Sequence, residues 1–260
     1  MNEISIYILV TGFGLLFGSF LNVLIYRIPR KIGFVSGRSQ CPSCKHKISI
    51  YDNIPVISYL LLGGKCRHCR QPISIRYPLV ELMNGAAYLF LYWMYGFSFV
   101  FAGYAIMTSI LLAIFFIDID FQIIPDLLSL PGIGLGLILS ILPGGIGIIQ
   151  AVVGLVVGGG MLYLAAIMGE LIFKKESMGG GDIKMAAMLG AFLGWQKIIF
   201  IFIAGSFVGL IVSLIIMLFS KKARETRVIP FGPYLAIAAI IATIWGDRLI
   251  SFYINHFLRA

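Results

Sequence analysis

The sequence predicts an all-α polytopic membrane protein of about eight transmembrane helices, with one small polar insert between the first and second. Three observations predict it. Of 260 residues, 60% are hydrophobic and only 12% are charged, about half the charged share of a soluble domain, which is roughly 25%. Apolar runs long enough to cross a bilayer recur along the chain. Alternating polar and apolar strand segments, the mark of an outer-membrane barrel, are absent.

The first span covers about 4–26. Met1-Asn2-Glu3 carries no basic n-region and no small-residue cleavage site follows, so this run reads as a retained span and not a cleaved signal. Residues 27–78 form the insert. Pro78 suits the first turn of a second span at 79–95, and a turn near Gly96 leads to a third at 99–117. The polar stretch from Asp118 to Asp126 reads as an interfacial loop. Span four, at 127–142, stops at Pro143-Gly144-Gly145, and span five follows at 147–173. The stretch 183–219 is too long for one helix and holds Gly194-Trp195-Gln196-Lys197 in its middle, so it divides into a short sixth span and a full seventh. The eighth lies at 232–250. Four pairs of glycines spaced by three residues, Gly14/Gly18, Gly132/Gly136, Gly154/Gly158 and Gly205/Gly209, allow helices to approach closely in lipid.

The net charge of +9 is concentrated. Ten Lys/Arg and one acid, Asp52, lie from Arg27 to Arg76, so ten minus one puts +9 in that stretch alone. Basic loops stay cytoplasmic. With eight spans the insert, Lys174-Lys175 and the basic cluster at 221–227 share the cytoplasmic face, and the same count brings Asp118 and Asp182 there. The basic patch adjoins spans and lacks DNA- or RNA-reading motifs, so its expected partner is the lipid bilayer and not nucleic acid.

All four cysteines sit in the insert: Cys41-Pro42-Ser43-Cys44, twenty-one residues, then Cys66-Arg67-His68-Cys69. Two C-x-x-C turns at this separation converge on a tetrahedral ion, and four thiolates suit a closed, structural Zn²⁺ site. Two disulfides would need an oxidising compartment, which the cytoplasmic placement denies. His46 and His68 lie beside the turns, but four cysteines already complete the shell.

Carboxylates at a membrane edge are costly and mark function. Asp182 closes Gly179-Gly180-Gly181-Asp182, where glycines permit a tight bend, and it belongs at or near the N-cap of a helix beginning at Ile183. Two carboxylates that meet across a bundle share a proton and activate water. Three residues are candidates for the second: Asp118 at the end of span three, Asp120 two residues on, and Asp126, which also suits a first-turn acid. Position favours Asp118 over Asp120. Glu81 and Asn22 stand at span edges, where they could face a second site, but read more simply as a helix-start acid and an interhelical hydrogen bond.

Gly-Gly-Gly-Asp182 resembles the GxGD signature of membrane aspartyl proteases. Together with Asp118-x-Asp120, Pro125-Asp126, the four cysteines, Gly18-Ser19-Phe20-Leu21-Asn22 and Pro230-Phe231-Gly232-Pro233, it resembles the bacterial type IV prepilin peptidase family over essentially the whole chain. The resemblance implies cleavage of prepilins and prepilin-like secretion or competence proteins after a glycine, at the cytoplasmic face of the bacterial cytoplasmic (inner) membrane. It also implies S-adenosylmethionine-dependent methylation of the new N-terminal residue. Carried over by motif, the catalytic pair is Asp118 and Asp182, with Asp120 and Asp126 outside it. Residues 1–95 are then the first span, the zinc insert and the second span, with the methyltransferase part, and 96–260 the aspartyl peptidase domain. No Rossmann-type glycine motif marks where the methyl donor binds.

Overall fold

The computed structural model describes residues 2–33, 39–174, 178–219 and 230–258. Lys175 and the basic cluster at 221–227 lie outside the described residues. Within them the regular structure is helical, with two isolated β-bridges and no strand. The helices are α1 Glu3–Arg27, α2 Ile57–Leu61, α3 Arg76–Tyr95, α4 Phe99–Phe121, α5 Asp126–Ser140, α6 Ile148–Phe173, α7 Gly180–Leu193, α8 Trp195–Phe219 and α9 Gly232–Tyr253. The chain forms two compact units, one ending at Phe101 and the other beginning at Ala102.

In the first unit α1 and α3 pack antiparallel, because their small residues face each other. A Cβ on Gly18 would stand 2.7 Å from the Glu81 Cα, and one on Gly14 would stand 2.9 Å from the Gly85 Cα. That approach brings polar side chains within reach of the opposite backbone. Asn84 Nδ2 donates to the Gly14 carbonyl at 2.8 Å and Asn22 Nδ2 to the Tyr77 carbonyl at 3.0 Å. Both asparagines are buried, where an unpaired amide would be costly.

In the second unit the core is α7, whose residues from Met185 to Leu193 are all buried. It packs against α5 and α6. Gly132 and Gly136 of α5 face Met188 and Ala191, while Gly154 and Gly158 of α6 lie on the α7 backbone at Gly190 and Ala186. Gly205 and Gly209 of α8 meet Leu235 and Tyr234 of α9. Each of the four small-residue pairs therefore meets a neighbouring helix.

Among the described residues, five helical stretches are long and apolar enough to cross a membrane: α1, α4, α6, α8 and Gly232–His256. The other three expected spans are helices that fall short of that mark. α5 and α7 have 15 and 14 residues, roughly 22 Å at 1.5 Å per residue against a hydrocarbon core of about 30 Å. α7 is ringed by helices and presents little surface to a surrounding medium. α3 carries Arg76, Glu81 and Asn84, which lower its mean hydropathy, but Glu81 and Asn84 are buried while Leu82, Met83, Phe90 and Trp93 are exposed.

Two boundaries differ from the sequence expectation. α4 does not stop at 117 but continues through Asp118 and Asp120 to Phe121, so the loop shrinks to 122–125. The Gln122 N–H closes the last turn on the Asp118 carbonyl at 2.9 Å, and Gln122 itself turns left-handed at φ 54°. α7 begins at Gly180, with Gly179 as N-cap, so Asp182 lies inside the first turn and not before it.

Candidate active site and metal centre

The carboxylate site forms where α4 ends and where α7 and α9 begin. Asp118, in the last turn of α4, is 4% exposed. Its Oδ2 accepts the N–H of Gly232 at 3.0 Å. Gly232 opens α9, so the carboxylate also sits at the positive end of a helix dipole. Pro230-Phe231-Gly232-Pro233 provides this donor because Gly232 leaves room for it: a Cβ there would fall 2.6 Å from Asp118 Oδ2.

Asp182 presents its carboxyl from the first turn of α7. Its Oδ1 is buried without a hydrogen-bond partner among the described residues, and its Oδ2 lies 3.5 Å from the Cβ position of Gly179. The position above Gly180 is open, with nothing within 4 Å. The two carboxyls lie near enough for their charges to repel. Ile124, from the loop between α4 and α5, wedges against the Cβ positions of both Gly181 and Gly232, which fixes the starts of α7 and α9 against one side chain.

The other two acids are exposed. Asp120 is exposed near the end of α4, about 200° around the helix from Asp118 at 100° per residue. Asp126 opens α5 and is exposed. Both of its oxygens receive Lys184 Nζ at 2.7 Å. Since Lys184 is two residues past Asp182, this ion pair ties the first turn of α5 to the first turn of α7. The amide of Gly232, the Ile124 wedge and the Lys184 clamp are contacts that sequence reasoning missed. The motif around Gly232 was visible, but not its partner 114 residues away.

In the insert, the two cysteine turns have the same hydrogen bonding. Cys41 N–H donates to the His46 carbonyl and Lys45 N–H to the Cys41 carbonyl; Cys66 N–H donates to the Gln71 carbonyl and Arg70 N–H to the Cys66 carbonyl. Lys45 and Arg70 both turn left-handed, at φ 60° and 59°. A β-bridge closes each turn, Gln40 to Lys47 and Lys65 to Pro72. These amides point the four sulfurs at one centre.

All four sulfurs lie within 4.8 Å of one another and are not paired as disulfides. Tetrahedral Zn–S bonds of about 2.3 Å would separate sulfurs by about 3.8 Å, and Cys41 Sγ and Cys69 Sγ are 3.8 Å apart. The donor set therefore fits Zn²⁺. The backbone amide of Cys44 draws the Cys41 thiol down to about 6, toward the thiolate that binds metal. His46 and His68 stack on each other, with ring centroids 3.5 Å apart, and both are exposed.

Between the turns, Arg67 grips Asp52 through Nε at 2.9 Å and Nη2 at 2.6 Å. These hydrogen bonds hold the Asp52 carboxyl below its ordinary range. The clamp fastens the second cysteine turn to the 3-10 helix Ile50–Asn53. The insert is joined to α3 by the Val56 N–H, which donates to Glu81 Oε2 at 2.8 Å.

Comparison with known proteins follows this division. The Bacterial Peptidase A24 N-terminal domain matches residues 13–95, and the Type IV leader peptidase family matches residues 105–214. The chain is 38% identical to the prepilin leader peptidase/N-methyltransferase of Stutzerimonas stutzeri, over 98% of this chain and 96% of that one. It is 39% identical to the Pseudomonas aeruginosa protein of the same name, over 93% and 91%. The like-named protein of Neisseria gonorrhoeae is 36% identical, over 95% and 94%. No solved structure matches. Matched in both units by these profiles, and along nearly its whole length by these relatives, the chain belongs to the type IV leader peptidase family.

Proposed function

We propose that the protein is a prepilin leader peptidase and N-methyltransferase of the bacterial cytoplasmic membrane. It removes the leader from type IV prepilins and prepilin-like secretion or competence proteins, then methylates the exposed N-terminal residue with S-adenosylmethionine. The peptidase half rests on one observation: Asp118, held by the Gly232 amide, and Asp182, whose Oδ1 has no hydrogen-bond partner among the described residues, stand at helix starts and ends that the same Ile124 side chain packs together.

Two carboxyls that repel each other share one proton. The ionised member takes a proton from water, and the water oxygen attacks the scissile carbonyl carbon. The protonated member gives its proton to the carbonyl oxygen. Collapse of the tetrahedral centre breaks the C–N bond, and the departing amine takes up a proton to become the new N-terminus. The pair titrates as a unit, so cleavage follows a bell-shaped pH profile. Lys184 and Asp126 position the α7 turn and do not touch the reacting atoms.

Eight helices crossing in alternation put the insert and the carboxylate pair on the cytoplasmic face, as the basic residues of 27–76 require. Four thiolates from Cys41, Cys44, Cys66 and Cys69 hold one structural Zn²⁺. Residues 1–95 carry the methyl-transfer part and 96–260 the peptidase. Purified protein in detergent, given a prepilin and labelled S-adenosylmethionine, will shorten the prepilin and label the product. An unchanged prepilin would overturn the peptidase reading.

The glycine that opens α9 offers a finer test. Gly232→Ala puts a methyl on the Asp118 carboxylate, and a displacement of this kind costs about a hundredfold in rate. The loss will fall on kcat more than on KM. Cleavage at the wild-type rate would show that the Gly232 contact has no part in positioning Asp118.

A further inference from the structure

The first unit holds a partly open cavity of about 720 Å³ where the ends of α1 and α3 meet the insert. Cavities of roughly 300–1,000 Å³ accept cofactor-sized molecules. By contrast, the hollow in the second unit between Leu162, Ile198 and Leu235 is apolar and has no room for a water.

The lining of the large cavity has a defined chemistry. The Glu81 carboxylate lies in it, 8% exposed and fixed by the Val56 N–H. Asn22, also buried, lines the same wall. Tyr26, Tyr59 and Tyr77 add aromatic faces, and Lys45 adds a cation. Val56, which aims its amide at Glu81, adopts φ 61° and ψ −50°. A β-branched residue tolerates that conformation only where its surroundings impose it, and such strain gathers at ligand sites.

Among the described residues the hydrogen-bond partners of Glu81 are the Val56 backbone N–H and the Ser19 side chain, both neutral, so its buried carboxyl faces the cavity with no cation bonded to it, while Arg27, Lys45, Lys47 and Arg67 line other parts of the wall. A buried charge needs an opposite charge. We infer that this cavity is the S-adenosylmethionine site, with Glu81 facing the donor's positive sulfonium and amino groups. The tyrosines offer faces for the adenine, and Lys45 offers a cation for the carboxylate. This rests on the methyl-transfer reading above. In the reaction, the amine nitrogen of the new N-terminal residue bonds to the methyl carbon. The C–S bond breaks with its electron pair left on sulfur, S-adenosylhomocysteine departs, and one amine proton leaves to water.

The sulfonium is charged and the product thioether is neutral, so the role of Glu81 has its own signature. Binding of labelled S-adenosylmethionine and of S-adenosylhomocysteine is measured on full-length protein in detergent, alongside prepilin cleavage. Glu81→Gln keeps an acceptor for Val56 but removes the charge. It will weaken binding of the sulfonium about tenfold more than binding of the thioether, and cleavage will persist. Val23→Trp, which fills the cavity, will weaken both ligands, again with cleavage intact. If wild-type protein binds the donor and methylates but both variants bind it equally well, the donor site lies elsewhere and the inference fails. If wild-type protein binds no donor, the methyl-transfer reading fails and takes this assignment with it.

Discussion

Asp118→Ala and Asp182→Ala will each abolish leader cleavage, by about a thousandfold or more, as expected when one member of an acid–base pair is removed. The loss is this large because neither carboxyl can do both jobs. One must accept a proton from water while the other donates to the carbonyl oxygen, and the lone survivor has no partner with which to share a proton. Asp120→Ala will leave most activity, since Asp120 is exposed on another side of the α4 end. Asp126→Ala removes the clamp to Lys184 and will give a partial loss. Methylation of a synthetic peptide that begins at the mature N-terminal residue will survive both substitutions if, as proposed, that chemistry belongs to the other unit. The check is cleavage by gel mobility and methyl label on the pre-cleaved peptide.

Removing the proposed Zn²⁺ will unfold the insert. Among the described residues 39–74 there is one five-residue α-helix, one four-residue 3-10 helix and two isolated bridges, too little buried apolar surface to hold a fold alone. Structural Zn²⁺ supplies about 10–16 kcal/mol in small zinc peptides, far more than the surface ion pair between Arg67 and Asp52 could replace. Metal analysis will find about one zinc per chain. After chelation, or in Cys44→Ser or Cys69→Ser, limited proteolysis will cut within residues 39–74 while the helices of the second unit stay intact. Protein free of metal with the same protease resistance would show that the cysteines are not a metal staple.

Much of this could be read from the chain. Period and length located helices at all eight expected positions, five of them long and apolar enough to span; the cysteine spacing located the cluster of four sulfurs, and the glycine pairs located the helix contacts. Those features are local, since each depends on residues within a few turns. What escaped reading was long-range. The continuation of α4 past Asp118 looked improbable for a stretch holding two acids and a glutamine. It is tolerated because Gly232, 114 residues away, supplies a donor to the first of those acids. The three glycines before Asp182 read as a bend leading to a cap, yet two of them are the first turn of α7. Glycine permits a helix start as readily as a turn, and Ile124 packed on Gly181 decides between them. Glu81 read as an ordinary helix-start acid, and only folding of the insert onto α3 turns it into the acceptor for a strained Val56.

The most direct test is the residual cleavage rate of Asp118→Ala/Asp182→Ala beside each single variant. Two carboxyls acting as one unit predict that the double variant is no slower than the slower single, because the first substitution has already destroyed the shared-proton device. Losses that multiply, or a single variant that retains the wild-type rate, would contradict the pairing of Asp118 with Asp182.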